Sequence, residues 1–177
     1  MSENDAASHR QQDLYLTEVF QLMVAREYMR RYRDVLAQRV TWFGALRAVA
    51  SSGAIGAWVI WQSWPMIWGG IIVASQVADA LRDVFPFTVR HEAANDLVWS
   101  FEALLIDALH EAEGVYSGRY TDEEINDRRR KLMRPRHEAE VKHFPSGRVP
   151  ERTDLLVLAD QAAIAYYDSI FSPRTNP

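Results

Sequence analysis

The densest run of chemistry-bearing side chains is Arg128-Arg129-Arg130-Lys131, followed by Arg134, Arg136, His137, Lys142 and His143. A planar guanidinium fork meets phosphate oxygens two at a time, so several converging arginines suit an oligoanionic ligand. Arg128, Arg129, Lys131, Arg134, Arg136 and His137 are the candidate ligand-binding residues on that reading. The competing reading is a solvated helix face, neutralised by Asp122, Glu123, Glu124 and Asp127 just upstream. A second constellation is Ser75, Gln76 and Asp79. Gln76 and Asp79 are three apart and Ser75 is four from Asp79, so a helix puts them on one face. In an otherwise apolar segment they read as a pore lining, with a ring of Asp79 carboxylates favouring cations. The alternative is an Asp79 near a helix end, paired with Arg82.

Enzyme chemistry has little to work with. His91-Glu92, His110-Glu111 and His137-Glu138 are isolated pairs, without the HExxH spacing that places two imidazoles on one metal. There is no GxSxG, P-loop or GxGxxG motif. The chain has no cysteine, which excludes disulfides and thiolate chemistry. No catalytic residue, metal site or cofactor is expected. The aromatics Tyr116, Tyr120, Tyr166, Tyr167 and Phe171 suit stacking on a base, although aromatics at helical spacing more often form core.

The elements that must position these groups are helical. At 177 residues the chain is long enough for one ordinary domain with a core. Its 25% charged and 48% hydrophobic residues are ordinary for a soluble protein, but they are unevenly distributed. Net charge is −4, against bulk binding to long nucleic acid. Residues 1–11 read as a disordered start, without the basic-then-apolar order of a cleavable signal. Ala25, Met29, Tyr32, Leu36, Val40 and Phe43 follow steps of three and four, predicting a helix from about Asp13 that enters the apolar segment unbroken. A helix is expected over about Thr88–Tyr116, with Leu97, Phe101, Leu104, Leu105, Ala108, Ala112 and Val115 on one face and Gly118 as its stop. Thr121-Asp122-Glu123-Glu124 has capping-box spacing and predicts a short helix to about Met133, interrupted by Arg134-Pro135. Residues 143–152 are loop. A last helix runs from Thr153 or Asp154 to about Phe171 on Leu155, Leu156, Ala159, Ala162, Ala163, Tyr166 and Ile170. No strand is expected.

Between Arg47 and Asp79 there is no Lys, Arg, Asp or Glu. A spanning helix needs about 20 mainly apolar residues. Residues 44–63 and 66–85 supply two, joined at Gln62-Ser63-Trp64-Pro65. Trp42, Trp61, Trp64 and Trp68 sit where interfaces would be. Gly53, Gly56, Gly69 and Gly70 suit close packing of membrane helices. Arg26, Arg30, Arg31, Arg33, Arg39 and Arg47 precede the pair, Arg82 and Arg90 follow it, and the turn has none. That asymmetry places both termini in the cytoplasm. Ser51, Ser52, Gln62, Ser75, Gln76 and Asp79 make the spans only marginally apolar, and polar groups at membrane depth face protein or water. A homo-oligomer enclosing them is the economical answer. A buried soluble hairpin is the competing reading.

In REYMRRYRDVLAQR (26–39), the two glycine- and tryptophan-containing spans behind a short turn, and RHEAANDLVWSFEALL (90–105), the sequence resembles the two-transmembrane SLATT effector domains associated with bacterial nucleotide-signal defence systems. The resemblance covers about residues 20–171 and rests on order and texture rather than a sharp motif. It implies an oligomeric effector of the bacterial inner membrane that permeabilises it on infection and stops growth. It also implies control by a nucleotide or short oligonucleotide, and a nucleotidyltransferase encoded nearby as a partner. The expected architecture is all-α: a cytoplasmic N-terminal helix (12–43), a two-span transmembrane hairpin (44–85), a cytoplasmic helical domain (86–172) and a tail (173–177). A membrane-anchored helical adaptor without a pore, and a soluble all-α binding module, are the alternatives.

Overall fold

At Thr121 the backbone N–H donates to the Glu124 carboxylate at 2.8 Å, and the Thr121 hydroxyl accepts from the Glu124 N–H at 3.4 Å. This reciprocal capping box starts a helix where the spacing predicts one. The computed structural model describes residues 3–56, 69–70, 73, 76–77, 87–145, 149 and 151–171. The helices whose bounds lie among these residues are α1 (Glu3–Gly56), α2 (Phe87–Tyr116), α3 (Asp122–His143) and α4 (Thr153–Phe171). Among the described residues there is no strand.

Three boundaries differ from expectation or sharpen it. α1 begins at Glu3, so residues 3–11, expected as a disordered start, continue the helix. No glycine or proline stands there to stop it. α3 does not end at Met133: it passes through Pro135 to His143. The proline removes the N–H that would reach the Lys131 carbonyl, but Lys131 is exposed and water can replace that bond. Ion pairs Arg134–Glu138 (2.8 Å) and Arg136–Glu140 (3.2 Å), four residues apart, bridge the proline's C-terminal side. α2 ends as expected. Gly118 adopts φ +68°, and the Gly118 and Arg119 N–H groups donate to the Val115 and Gly114 carbonyls at 3.1 and 3.0 Å. This is a Schellman closure, in which only glycine takes the left-handed position without strain.

The chain divides into two units, residues 1–32 with 93–177, and residues 33–92. In the first, four helical segments form a bundle. The Tyr15 hydroxyl donates to the Ala108 carbonyl at 3.1 Å, and further along α1 Arg26 lies 3.7 Å from Glu102, further back along α2. α1 and α2 are therefore antiparallel here. α4 is also antiparallel to α1: Phe20 meets Tyr167 edge-on at 5.8 Å, while the Arg152 N–H ahead of α4 donates to the Tyr28 hydroxyl at 3.0 Å. The core is apolar, with Tyr15, Val19, Leu22, Met23 and Met29 of α1 buried against Leu97, Phe101, Leu105, Ala112 and Val115 of α2. α3 contributes Ile125 and Leu132, and α4 contributes Leu155, Ala159 and Ala163. The apolar face expected on α2 is buried apart from Leu104, which is half-buried. On α4, Leu156, Tyr166 and Ile170 stay exposed with Val157, Leu158 and Ile164.

In the second unit α1 continues to Gly56. Leu36 is buried, Val40 is half-buried, and Phe43 and Trp42 are exposed, Trp42 at 76%. Residues 69, 70, 73, 76 and 77 are helical and exposed, with Val73 at 59% and Val77 at 51%. Most of the expected hairpin, including its turn at 62–65, lies outside the described residues. Among the described residues no helix is long and apolar enough to cross a membrane.

Candidate functional site

The basic run on α3 does not converge. Arg128 turns to α2, with its Nε 2.5 Å from the Glu111 carboxylate and its guanidinium stacked 3.5 Å from the Tyr120 ring centre. The Arg128 hydrogen bond holds the Glu111 carboxyl below the usual range, and the same bond raises Arg128. Gly114 is buried beneath this contact, and a Cβ there would overlap the Tyr120 ring. Arg129 turns to α1, with Nε 3.5 Å from Glu18, an ion pair without hydrogen-bond geometry. Arg134 and Arg136 pair within α3, with Glu138 and Glu140. Lys131 and His137 are exposed. The direct ion-pair partners are thus Glu111, Glu18, Glu138 and Glu140, while of the upstream acids Glu124 feels the Arg128 charge without pairing with it. Residues on a helix point outward every 100°, so a consecutive basic run spreads around the axis, where each arginine meets a different neighbour.

Of the expected polar stripe, Gln76 is helical and exposed, while Ser75 and Asp79 lie outside the described residues. Of the aromatic set, Tyr116 and Tyr167 both approach Phe171, at 6.4 and 4.6 Å. Tyr166 lies under the Arg26 guanidinium at 5.4 Å. These rings chiefly contact one another or an arginine.

The feature the sequence did not announce is a cavity of about 930 Å³, open to solvent, in the first unit. α1 lines it with Phe20, Val24, Tyr28 and Met29, and α2 with Leu97 and Phe101. α3 supplies Arg136, His137, Glu140 and Val141, all beyond Pro135. The connection after α3 adds Phe144, Val149 and Glu151, and α4 adds Leu156 and Asp160. The walls are mainly apolar and aromatic with polar groups among them, in the size range of small-molecule sites. Two of the six candidate ligand residues, Arg136 and His137, therefore reach a common cavity. A usable signal was present: Phe20, Val24 and Tyr28 recur every four residues beside the Val19–Met23 core stripe. That makes the apolar face of α1 wider than one helix contact needs.

Within the cavity the Arg136 guanidinium is held by Glu140 at 3.2 Å. Glu151 and Asp160 are exposed and make no ion pair among the described residues. The Tyr28 hydroxyl is occupied by the Arg152 N–H, and burial pushes the Tyr28 phenol up. Among the described residues no three His, Asp or Glu side chains are grouped to hold a metal ion. No family model, curated protein or solved structure matches the chain.

Proposed function

We propose that the chain is an oligomeric membrane effector: residues 44–85 form a two-span hairpin, and the helical bundle is its regulatory part. The observation that carries this reading is the absence of any formal charge from residue 48 to 78, between arginine-rich flanks. The exposed Trp42, Val73 and Val77 are compatible with it, since lipid or a neighbouring hairpin would cover them. Gln76 shares a helix face with Val73 and is too polar to meet lipid alone. Packing of several hairpins would cover it, with Ser75, Gln76 and Asp79 lining the enclosed path. On the resemblance to SLATT effectors, opening that path would depolarise the bacterial inner membrane, arrest growth and limit phage spread. A nucleotide signal on α3 would have to displace the carboxylates now holding Arg128, Arg134 and Arg136.

Carbonate washing of membranes from expressing cells tests the first step; release without detergent would sink the membrane reading. Ion flux in liposomes tests the second. Gln76→Leu and Asp79→Ala are expected to change conductance or cation preference at unchanged oligomer size, and unchanged flux in both removes the pore-lining assignment. A hairpin-anchored adaptor without a pore is the second reading, favoured by the apolar side chains α4 leaves exposed. It predicts membrane retention with no flux.

A further inference from the structure

We propose that the cavity of the first unit is a binding site for an organic cation with an apolar body. Its volume, about 930 Å³, admits a small molecule rather than a lone ion. Among the described residues four aromatic side chains line it, Phe20 and Tyr28 from α1, Phe101 from α2 and Phe144 after α3. Aromatic walls attract a cation through the negative face of the ring, most strongly when water is displaced.

The charges in the lining select the sign. Among the described lining residues Arg136 is the one arginine and is neutralised by Glu140, and His137 is the other basic side chain. Glu151 and Asp160 remain as carboxylates without an ion-pair partner among the described residues. An incoming phosphate would have to displace Glu140 from Arg136 while facing both. An ammonium group would meet those carboxylates with its apolar body against Val24, Met29, Leu97 and Val141. The cavity lies within one unit, so this inference does not depend on the hairpin entering a membrane.

The test is calorimetric titration of the full-length chain in zwitterionic detergent with three probes of one body: 3-phenylpropyl-trimethylammonium, 3-phenylpropanol and 3-phenylpropyl phosphate. The ammonium is expected to bind roughly fivefold or more tighter than the alcohol, and the phosphate more weakly than either. In Glu151→Gln/Asp160→Asn the ammonium is expected to lose roughly fivefold in affinity while the alcohol is unchanged. Both positions are exposed, so the fold should survive, and unchanged alcohol affinity reports that it has. Phe144→Ala should weaken ammonium and alcohol together. Equal affinity for ammonium and alcohol, tighter binding of the phosphate, or no binding by any probe would each overturn the assignment.

Discussion

Arg26 shows how one residue can sit against the grain of its helix. It continues the core-facing stripe of Val19 and Leu22, and its side chain is only 12% exposed. Glu27 at 2.6 Å, Glu102 at 3.7 Å and the Tyr166 ring surround it, yet its Nε has no hydrogen-bond partner. A largely buried ion pair gains little over an apolar residue of similar size, because both charges lose water. Arg26→Leu would leave Glu27 paired with Arg30 at 3.1 Å and the partly exposed Glu102 in reach of solvent. It is therefore expected to leave thermal stability unchanged or raise it by about 1 kcal/mol, read by denaturant melts. Glu111 is the opposite case. Its folded value is depressed, so its pairing with Arg128 stabilises the fold fully above the ordinary 4.5 and is lost as pH falls through the lowered folded value. Glu111→Gln should lower stability near pH 7 by at most about 1 kcal/mol, given the solvent exposure of the pair. The gap from the parent chain should close once pH falls below the lowered folded value; a gap independent of pH would refute the linkage.

At the scale of elements, the starts and stops that rest on local chemistry were legible. The Thr121 capping box, the Gly118 closure and the Thr153–Phe171 helix stand where the spacing predicts them. Each depends on hydrogen bonds or dihedral angles within a few residues, so no distant contact need be known. Proline's local penalty alone predicts an end at Pro135, where the helix in fact continues to His143. The penalty is real, but α3 is anchored on both sides, by Leu132 in the core and by the two flanking ion pairs. Pro135→Ala restores an N–H for the Lys131 carbonyl and should stabilise the protein by on the order of 1–3 kcal/mol. Circular dichroism melts would check it; loss of stability would mean that the proline ring is itself a packing element. In contrast, Gly118→Ala should destabilise by about 1 kcal/mol, since alanine is strained at φ +68°.

For the whole molecule, the proposed topology makes a prediction that the chain is well suited to test, because it has no cysteine of its own. With both termini cytoplasmic, Ser63→Cys in the turn should react with a membrane-impermeant maleimide in intact spheroplasts. Ser169→Cys, on the exposed face of α4, should react only after lysis. Labelling of both in intact spheroplasts would overturn the hairpin orientation. The sequence by itself determined the helical class, most helix ends and the charge-free stretch that motivates the membrane reading. These follow from local dihedral preferences, capping hydrogen bonds and the periodicity of apolar residues, all properties of short segments. Only the tertiary structure decided which acids neutralise Arg128 and Arg129, and that Arg136 and His137 share a cavity with Phe20, Tyr28 and Phe101. Those outcomes depend on how helices distant in sequence pack side by side. Glu18 meets Arg129 across more than a hundred residues of chain, and no spacing within either segment encodes that meeting.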